Sequence, residues 1–281
     1  MTALEDFTAL RPRLFGIAYR MLGSVAEAED IVQDAWLRWQ DYDHASVREP
    51  RAFLSTTVTR LAITAAQSAR RRRETYLGPW LPEPVDTSAD PTLGAERAEA
   101  LEIAVLHLME RLTPTERAAY VLREAFDYSY KEIADVIEVS EVSARQLVSR
   151  GRKHLASERR ATVDPGQQRR LLEAFLAASR AGDVADLEKL FAEDVVRYSD
   201  GGDAVRAARV PVQGRAKVAR LQDAFREFFG ATDLRWGDVN GQVAAVLSRN
   251  GTTVAVGTVT ASDEGITEIY WVLNPVKLTG L

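Results

Sequence analysis

Cysteine is absent from this sequence, and histidine occurs only at His44, His107 and His154. Without cysteine there is no disulfide, no thiolate nucleophile and no cysteine-ligated metal. Histidines this few and this scattered argue against a histidine metal cluster. We therefore expect a chain that works without a metal or another cofactor.

Long apolar runs are missing as well. No stretch is long enough to span a bilayer, and the amino terminus has no basic segment followed by an apolar one. We therefore expect a cytoplasmic protein with no membrane partner. The 281 residues are 46% hydrophobic and 27% charged, which is enough apolar material for two or three domains.

A positive net charge is also lacking, because the formal charge at pH 7 is -5. The chain therefore does not hold DNA by overall attraction. Its basic residues are concentrated in the tract from Arg70 to Arg73 and between Arg145 and Arg160. Phosphate neutralisation acts over short distances, so local clusters bind DNA while the rest of the chain repels it. Such a protein is expected to reach DNA with help from a partner.

Two short helices separated by a turn are predicted between Tyr130 and Leu155. Ser129 and Glu132 form a capping box for the first helix, and Ser140 caps the second. The turn has Glu138 where glycine is usual, so a residue that disfavours positive φ must be accommodated there. The polar and basic residues on the outer side of the second helix are Arg145, Gln146, Ser149, Arg150, Arg152 and Lys153. A helix of this kind fits the major groove of DNA, although a helical hairpin with a solvated basic face explains the stretch equally well.

The amino-terminal part is also predicted to be helical. An apolar pattern from Phe7 to Leu22 ends at Gly23, and Ser24 caps a second helix. The outer face of that second helix combines acidic and amide groups with an exposed leucine, at Asp30, Gln33, Asp34 and Leu37. Such a face suits docking onto a basic partner helix. A surface helix with one stray leucine is the alternative.

A long helix is predicted from Arg51 to Arg73. Arg60, Gln67 and Arg70 lie on its outer side, and four consecutive arginines close it. A charge run is usually solvated surface, but at the end of a helix it also suits the clamping of phosphates.

A proline-rich segment from Tyr76 to Asp90 has no helical period and reads as an extended linker. Trp80 and Leu81 are costly to leave in water, so we expect the linker to dock against one of the domains. The alternative is a proline-stiffened spacer with an incidental tryptophan.

The carboxy-terminal part is predicted to hold helices followed by an antiparallel sheet, which makes an α+β unit. Helices are expected at 164–180, from there to Phe191, and from Lys217 to Phe229. Strands are expected at 195–198, 242–248, 252–260 and 265–273, with Asn250 and Gly251 as a hairpin turn.

Several of these motifs together resemble the sigma-70 family of bacterial RNA polymerase sigma factors. The stretch from Glu29 to Trp36 looks like region 2.2, Pro50 to Arg73 is similar to regions 2.3 and 2.4, and Leu112 to Arg117 with Tyr130 to Leu155 resembles region 4. A chain with only these two domains is identified as a member of the extracytoplasmic-function class. The segment from Trp80 to Pro84 and the long carboxy-terminal extension resemble the SigJ-like group, which carries a fused SnoaL-like domain.

This resemblance implies a multi-domain protein: two small all-α sigma domains, the second with a helix-turn-helix, and a carboxy-terminal α+β NTF2-like cone. The implied domains are region 2 at 1–75, a linker at 76–95, region 4 at 96–160 and the cone at 164–281. The implied function is that of a sigma factor, which is not an enzyme. It would bind core RNA polymerase, at the β′ coiled coil and the β flap, and direct transcription from promoter DNA.

The resemblance also assigns roles to individual residues. Binding of core polymerase is assigned to Asp30, Ile31, Gln33, Asp34, Trp36 and Leu37. Recognition of the -10 element is assigned to Arg60, Gln67, Arg70, Arg71, Arg72 and Arg73, and of the -35 element to Arg145, Gln146, Ser149, Arg150, Arg152 and Lys153. A regulatory linker and loop comprise Trp80, Leu81, Pro82, Glu83, Pro84, Asp200, Gly201 and Gly202. Two positions depart from the group's motifs, Asp203 in place of a third glycine and Val276 in place of an aspartate.

The cone is expected to act in cis as a regulator, in place of a separate anti-sigma factor, and a small-molecule ligand inside it would supply a bias. A cyclase-like enzyme is disfavoured because no histidine follows His154, which leaves Asp200 without an acid-base partner. The competing class is a one-component helix-turn-helix regulator with a ligand-binding NTF2-like domain. That class gives no purpose to the stretch from Asp30 to Trp36.

Overall fold

A computed structural model describes residues 3–88, 101–158 and 163–281 of this chain. The chain forms two compact units. Unit 1 holds the described residues of Met1–Thr75 and Asp90–Glu158, and unit 2 those of Tyr76–Ala89 and Arg159–Leu281. Three predicted features lie outside the described residues. They are the end of the linker at 89–95, the start of the helix at Glu96, and the last two residues of region 4, 159–160. None of the helices in the described ranges has the length and apolar character that a membrane crossing requires.

The regular secondary structure in the described part of unit 1 is all helical. Its helices are α1 (Ala3–Leu22), α2 (Val25–Gln40), α3 (Pro50–Glu74), α4 (Ile103–Met109), α5 (Pro114–Glu124), α6 (Tyr130–Ile137) and α7 (Glu141–Glu158). α1 ends where Gly23 takes a positive φ of 65°, and α2 begins where the Ser24 side chain accepts from the Glu27 N–H at 3.4 Å. The expected helices of the amino-terminal part are therefore confirmed.

The helix pair α6 and α7 forms as its capping residues predict. Ser129 and Glu132 complete a capping box on α6, and Ser140 Oγ accepts from the Ser143 N–H at 3.1 Å at the start of α7. Glu138 ends α6 in the left-handed region, with φ 57°. Glu138 thus adopts the left-handed conformation that non-glycine residues disfavour, and this conformation costs ~1 kcal/mol or more. Burial of the inner stripe of α7, at Ala144, Leu147, Val148, Gly151 and Leu155, offsets that cost.

Unit 2 combines helices with a sheet. The helices are α8 (Pro165–Ala181), α9 (Val184–Leu190), α10 (Arg215–Ala224) and α11 (Arg226–Gly230). The strands are β1 (Phe191–Asp200), β2 (Val212–Gln213), β3 (Asp233–Val239), β4 (Gln242–Arg249), β5 (Thr252–Ser262) and β6 (Gly265–Val272). The strand order in the sheet is β2-β1-β6-β5-β4-β3.

Three details of the predicted cone are wrong. The sheet is mixed, because β1 pairs with β6 in parallel while the other pairs are antiparallel. β2 and β3 were not predicted. The single helix expected from Lys217 to Phe229 is interrupted at Phe225, which lies between α10 and α11.

The inner face of the sheet packs on the helices through an apolar core. Phe175 and Leu176 of α8, Val218 of α10 and Phe229 of α11 lie buried against inward-facing residues of the sheet. The residues of β4, β5 and β6 that belong to this core are Ala245, Leu247, Ala255, Val259, Ile266, Ile269 and Trp271. Two Asn-Gly turns, at 240–241 and 250–251, have positive φ at both residues and close the hairpins on either side of β4.

Candidate functional site

The outer face of α7 is exposed. Its six predicted DNA-reading residues, Arg145, Gln146, Ser149, Arg150, Arg152 and Lys153, are all exposed. Three of them form ion pairs within unit 1: Arg145 pairs with Glu141 of its own helix, Arg150 Nε lies 2.8 Å from Glu116 Oε1, and Arg152 Nη2 lies 2.6 Å from Glu124 Oε1. The hydrogen bond to Glu124 raises the pKa of Arg152. α5 therefore engages one side of the basic face, while Gln146, Ser149 and Lys153 stay free of partners among the described residues.

Arg145 is also positioned by its neighbours. Its guanidinium lies 4.7 Å from the ring centroid of Tyr130 and 3.3 Å from Glu141 Oε1, at the start of its own helix. The side chain nevertheless remains 64% exposed. A cation stacked on an aromatic ring keeps its free N–H groups in a defined direction.

The acidic face of α2 has the expected composition. Asp30, Gln33 and Asp34 are exposed and Leu37 is 52% exposed, whereas Ile31 is buried in the core. Trp36 is partly buried, with its ring 4.8 Å from that of Phe7. Ile31 and Trp36 therefore support the helix from below, and the polar residues with Leu37 form the surface that a partner can touch.

The arginines that end α3 have two different surroundings. Arg70 and Arg71 are exposed, and Arg72 forms an ion pair with Glu27. Arg73 is largely buried and pairs with Glu110, which also pairs with Arg117. Burial lowers the pKa of Arg73. Burial by itself raises the pKa of Glu110, but Arg117 and Arg73 together bring it below its ordinary value.

Arg60 joins α3 to the end of α6. Its Nε donates to the Val136 carbonyl at 2.8 Å, its Nη2 donates to the Asp135 carbonyl at 3.0 Å, and its Nη1 lies 2.9 Å from Glu138 Oε1. A cation is favoured at the carboxyl end of a helix, where the last carbonyls have no helical partners. Together with the Arg73–Glu110–Arg117 cluster, this contact helps to hold the two helical halves of unit 1 together, as does the buried Phe126 ring, which lies against Arg13 and Arg20 of α1. We call the Arg60 contact and the Arg73–Glu110–Arg117 cluster the clasp.

The described part of the linker, up to Ser88, is docked in unit 2. Leu81 and Pro82 are buried, and Trp80 is partly buried under Lys277, whose Nζ lies 4.1 Å from a ring centroid of the indole. Further along, the backbone of Val85 exchanges two hydrogen bonds of 2.9 Å with Asn240. The expected docking of Trp80 and Leu81 is confirmed.

Asp200 is the centre of this docking. Its side chain has no exposed surface and accepts four hydrogen bonds: at Oδ1 from Tyr76 OH (2.5 Å) and the Gly202 N–H (3.2 Å), and at Oδ2 from the Leu81 N–H (2.9 Å) and Lys277 Nζ (2.7 Å). Burial raises the pKa of Tyr76 well above its ordinary value, and the hydrogen bond to the Asp200 carboxylate adds to this effect. The phenol therefore remains a hydrogen-bond donor. We call this group, with Asn274, which donates to Tyr76 OH at 2.8 Å, the linker anchor.

Comparisons with known proteins agree with these features. Residues 7–72 match the model of Sigma-70 region 2, and residues 102–155 match that of Sigma-70, region 4. The ECF RNA polymerase sigma factor SigJ of Mycobacterium tuberculosis is 36% identical over 99% of this chain and 93% of that protein. The chain belongs to the extracytoplasmic-function sigma factors.

Other relatives of this sigma factor support the same assignment. A probable ECF RNA polymerase sigma factor of Mycobacterium tuberculosis, SigI, is 33% identical over 64% of this chain and 63% of that protein. The crystal structure of Mycobacterium tuberculosis SigJ covers 99% of this chain and 98% of its own, with a TM-score of 0.80 and 35% identity. The fold is thus that of helical sigma domains followed by an NTF2-like cone, and the protein is not an enzyme. Family membership over nearly the whole chain also decides against the one-component regulator.

The structure places the predicted site residues of this sigma factor in three groups. The six residues of α7 are exposed, as are Asp30, Gln33, Asp34 and Leu37 of α2, whereas Ile31 is buried and Trp36 is partly buried. Within the group assigned to the -10 element, Gln67, Arg70 and Arg71 are exposed, but Arg60 and Arg73 take part in the clasp. In the linker group, Leu81, Asp200 and Gly202 are in the anchor.

Sequence reasoning missed three members of the anchor, namely Tyr76, Asn274 and Lys277. Asn274 and Lys277 belong to the terminal motif that departs from the group's pattern only at Val276. Val276 itself is highly exposed, and Asp203 is exposed as well. The two departures therefore fall on solvent-facing positions, while the residues that hold the linker are present.

We predict that Asp200→Asn releases the linker. All four partners of the carboxylate are donors, and an asparagine offers one acceptor oxygen and places its NH2 group against donors. Loss of one partner from a buried ion pair costs ~3–5 kcal/mol. Hydrogen exchange of the full chain should show faster exchange at the amides of Leu81, Val85 and Thr87.

Asp203→Asn is the matched control, because this neighbouring carboxylate is exposed. It should leave the exchange of those amides unchanged. Equal protection of Leu81 in both variants would show that Asp200 does not hold the linker.

Proposed function

We propose that this sigma factor docks on the β′ coiled coil of core RNA polymerase through the outer face of α2. Asp30, Gln33, Asp34 and Leu37 make the contact, and Ile31 and Trp36 position it. The exposed leucine among acidic groups supports this assignment, because an apolar contact ringed by charge gives both affinity and orientation on a basic helix. The face has no competing basic residue at these four positions. The β flap is the expected contact of the region 4 half.

Reversing one charge tests the docking face. Asp34→Lys should weaken binding to core polymerase about tenfold, or ~1.4 kcal/mol, because it sets a like charge against the basic partner. Binding is measured by fluorescence anisotropy of the labelled full chain titrated with core enzyme.

Asp263→Lys, at the exposed β5–β6 turn, makes the same charge change away from α2. It should bind core polymerase as the unchanged chain does. If both variants bind with equal strength, α2 is not the docking face.

We propose further that α7 reads the -35 element in the major groove. Arg145, Gln146 and Ser149 lie toward the amino-terminal part of the helix, where helix-turn-helix proteins contact base edges, and Lys153 lies toward its end. Arg150 and Arg152 exchange their glutamate partners for phosphates when DNA is bound. Tethering by polymerase explains how a chain of charge -5 uses so few DNA contacts.

A randomised promoter library tests this reading. Holoenzyme formed with the double variant Arg145→Ala, Gln146→Ala should lose ~1–3 kcal/mol of discrimination at one or two positions of the -35 element. The enriched sequences are compared after one round of open-complex selection and sequencing.

Lys217→Ala serves as the charge control, since Lys217 is exposed on α10 of the cone. Its selected -35 motif should equal that of the unchanged protein. A double variant that selects the unchanged motif would refute base reading by these two side chains.

Reading of the -10 element is proposed for the outer side of α3, at Arg60, Gln67, Arg70, Arg71, Arg72 and Arg73. The clasp bears on this role. The two promoter elements are centred about 25 base pairs apart, or about 85 Å along B-DNA at ~3.4 Å per base pair. A chain in which Arg60 bonds directly to α6 cannot place α3 and α7 that far apart. The clasp therefore describes a promoter-free form, and promoter binding requires it to open.

The cone is proposed to regulate this opening in cis, in place of an anti-sigma factor. The linker anchor supports the idea, because it fixes the segment that directly follows α3. A docked segment has a fixed end-to-end distance, whereas a released one samples many. The segment that comprises Trp80, Leu81, Pro82, Glu83 and Pro84, together with the loop of Asp200, Gly201 and Gly202, thereby sets the spacing of region 2 and region 4.

Promoter spacer length is the sharpest readout of this proposal. The unchanged chain should prefer a narrow range of spacer lengths in run-off transcription with core polymerase. Asp200→Asn should broaden that range and lower its maximum, because the released linker allows more separations at a greater entropic cost.

The profile is measured with templates whose spacer between the two elements is lengthened or shortened one base pair at a time. Asp203→Asn should keep the narrow range of spacer lengths. Deletion of residues 164–281 should broaden the profile as Asp200→Asn does. If the spacer-length profile is unchanged both in Asp200→Asn and in the chain without residues 164–281, the cone does not set the spacing.

A further inference from the structure

Four buried polar side chains share the inner face of the cone. Arg197 and Ser199 lie two residues apart on β1, so both point to the same side of the sheet. Ser199 is paired with Trp271 of β6, which belongs to the core beneath the helices. Gln222 of α10 reaches the same face, because its Oε1 accepts from Arg197 Nη1 at 2.9 Å. None of the four is more than 3% exposed.

Arg197 is a buried cation with no acidic partner among the described residues. Its hydrogen bond goes to a neutral amide, and its guanidinium lies 5.1 Å from the ring centroid of Phe225. Burial lowers the pKa of Arg197 to about 9, so the side chain is still positively charged at neutral pH. Buried charges are normally paired, since an unpaired one is costly. The partner that Arg197 lacks is an anion.

The other buried polar atoms on this inner face lack the same kind of partner. Arg197 Nε, Gln222 Nε2, Trp271 Nε1 and Ser199 Oγ are buried and make no hydrogen bond within the described part of the chain. Arginine has no acceptor, so the side-chain oxygen of Gln222, and not its nitrogen, must face Arg197. The NH2 group of Gln222 is therefore left without a hydrogen bond. Three of these atoms are therefore pure donors, and the fourth belongs to a hydroxyl. A carboxylate accepts from several donors at once and binds a guanidinium with both oxygens.

The remainder of the inner face is apolar. Phe175, Phe229 and Ile269 are buried in the same cluster, and the ring of Phe229 lies 5.1 Å from that of Trp271. Gly257, on the neighbouring strand, lets the indole lie against the sheet, since a Cβ there would stand 2.5 Å from the ring. A molecule that satisfies the polar cluster must therefore present an apolar body beside its charged group.

We propose that the interior of the cone binds a small monocarboxylic acid with an apolar body, whose carboxylate pairs with Arg197 and accepts from Gln222 and Trp271. This assignment rests on the proposed role of the cone as a regulator, for which it names the chemistry of the ligand. Neither the residues that read DNA nor those of the linker anchor take part in it.

The strands that face this site also hold the linker. Ser199 directly precedes Asp200 on β1, and Asn274 follows Trp271 by three positions. The backbone N–H groups of Leu273 and Asn274 donate to the Asp200 carbonyl at 2.7 and 2.9 Å. A ligand that moves β1 against β6 therefore acts on the linker anchor within a few residues. This connection gives a bound ligand a short route to the linker anchor, which a ligand needs in order to influence a distant activity.

Binding to the full chain tests the site directly. Sodium octanoate and sodium benzoate should raise the thermal unfolding midpoint and change the tryptophan fluorescence, whereas octanamide and benzamide should do neither. Arg197→Met should lower the affinity for both carboxylates at least tenfold. Without ligand it should unfold at the same temperature as the unchanged chain or higher, because an apolar side chain of similar length replaces an unpaired buried charge.

Arg220→Met is the matched control, because Arg220 is exposed on the same helix as Gln222. It should respond to the carboxylates as the unchanged chain does. Arg197→Lys keeps the charge without the planar fork and should bind with intermediate affinity, which gives a second readout if Arg197→Met folds poorly. The assignment is overturned if the unchanged chain responds to neither carboxylate, or if the Arg197 variants respond as fully as Arg220→Met does. Carboxylate binding that leaves the promoter spacer profile unchanged supports the site and overturns only the proposed regulation.

Discussion

The Asp200 carboxylate is the group on which the linker's position depends. It has no exposed surface, and it is satisfied only because donors arrive from Tyr76, Leu81, Gly202 and Lys277, which belong to three separate stretches of the chain. A buried carboxylate with fewer partners would cost several kcal/mol. Linker docking and correct closure of the Asp200 loop are therefore one event, because neither set of hydrogen bonds is complete without the other.

The clasp in unit 1 is of a different kind. Arg60 binds backbone carbonyls at the end of α6 and remains partly exposed, whereas Arg73, Glu110 and Arg117 are largely withdrawn from water. Breaking the second contact exposes three charged groups that water solvates well, so most of the lost attraction is recovered on opening. The exposed ion pairs are worth little to begin with. A contact made of charges is therefore easier to open than an apolar interface of equal size, which suits the opening proposed for promoter binding.

Local chemistry made much of this architecture predictable. Capping residues such as Ser129 with Glu132 act within one turn of helix, and the inner stripe of α7 follows from its spacing, so both could be read from the sequence. The parallel pairing of β1 with β6 could not, because it joins strands that are far apart in the chain and depends on where the sheet closes. β3 was missed although Asn240 and Gly241 mark its hairpin, since Gly237 and the charged residues around Trp236 weaken its alternation. The clasp and Lys277 were missed for the same reason: an arginine in a solvated tract and one that meets a buried glutamate look alike until the fold brings the partner near.

Asp200 and Arg197, two charged groups buried in unit 2, differ in a way that bears on their roles. Asp200 has a full set of donors and a cationic neighbour, so it gains nothing further by binding another molecule. Arg197, three residues earlier on the same strand, has a single amide partner and free donors around it. A satisfied network holds a structure in place, while an unsatisfied one lowers its free energy only when something is added. β1 thus carries a structural charge at its end and an unpaired one within the cone. The anion proposed for the inner cluster would therefore bind on the same strand as Asp200, three residues from the group that holds the linker.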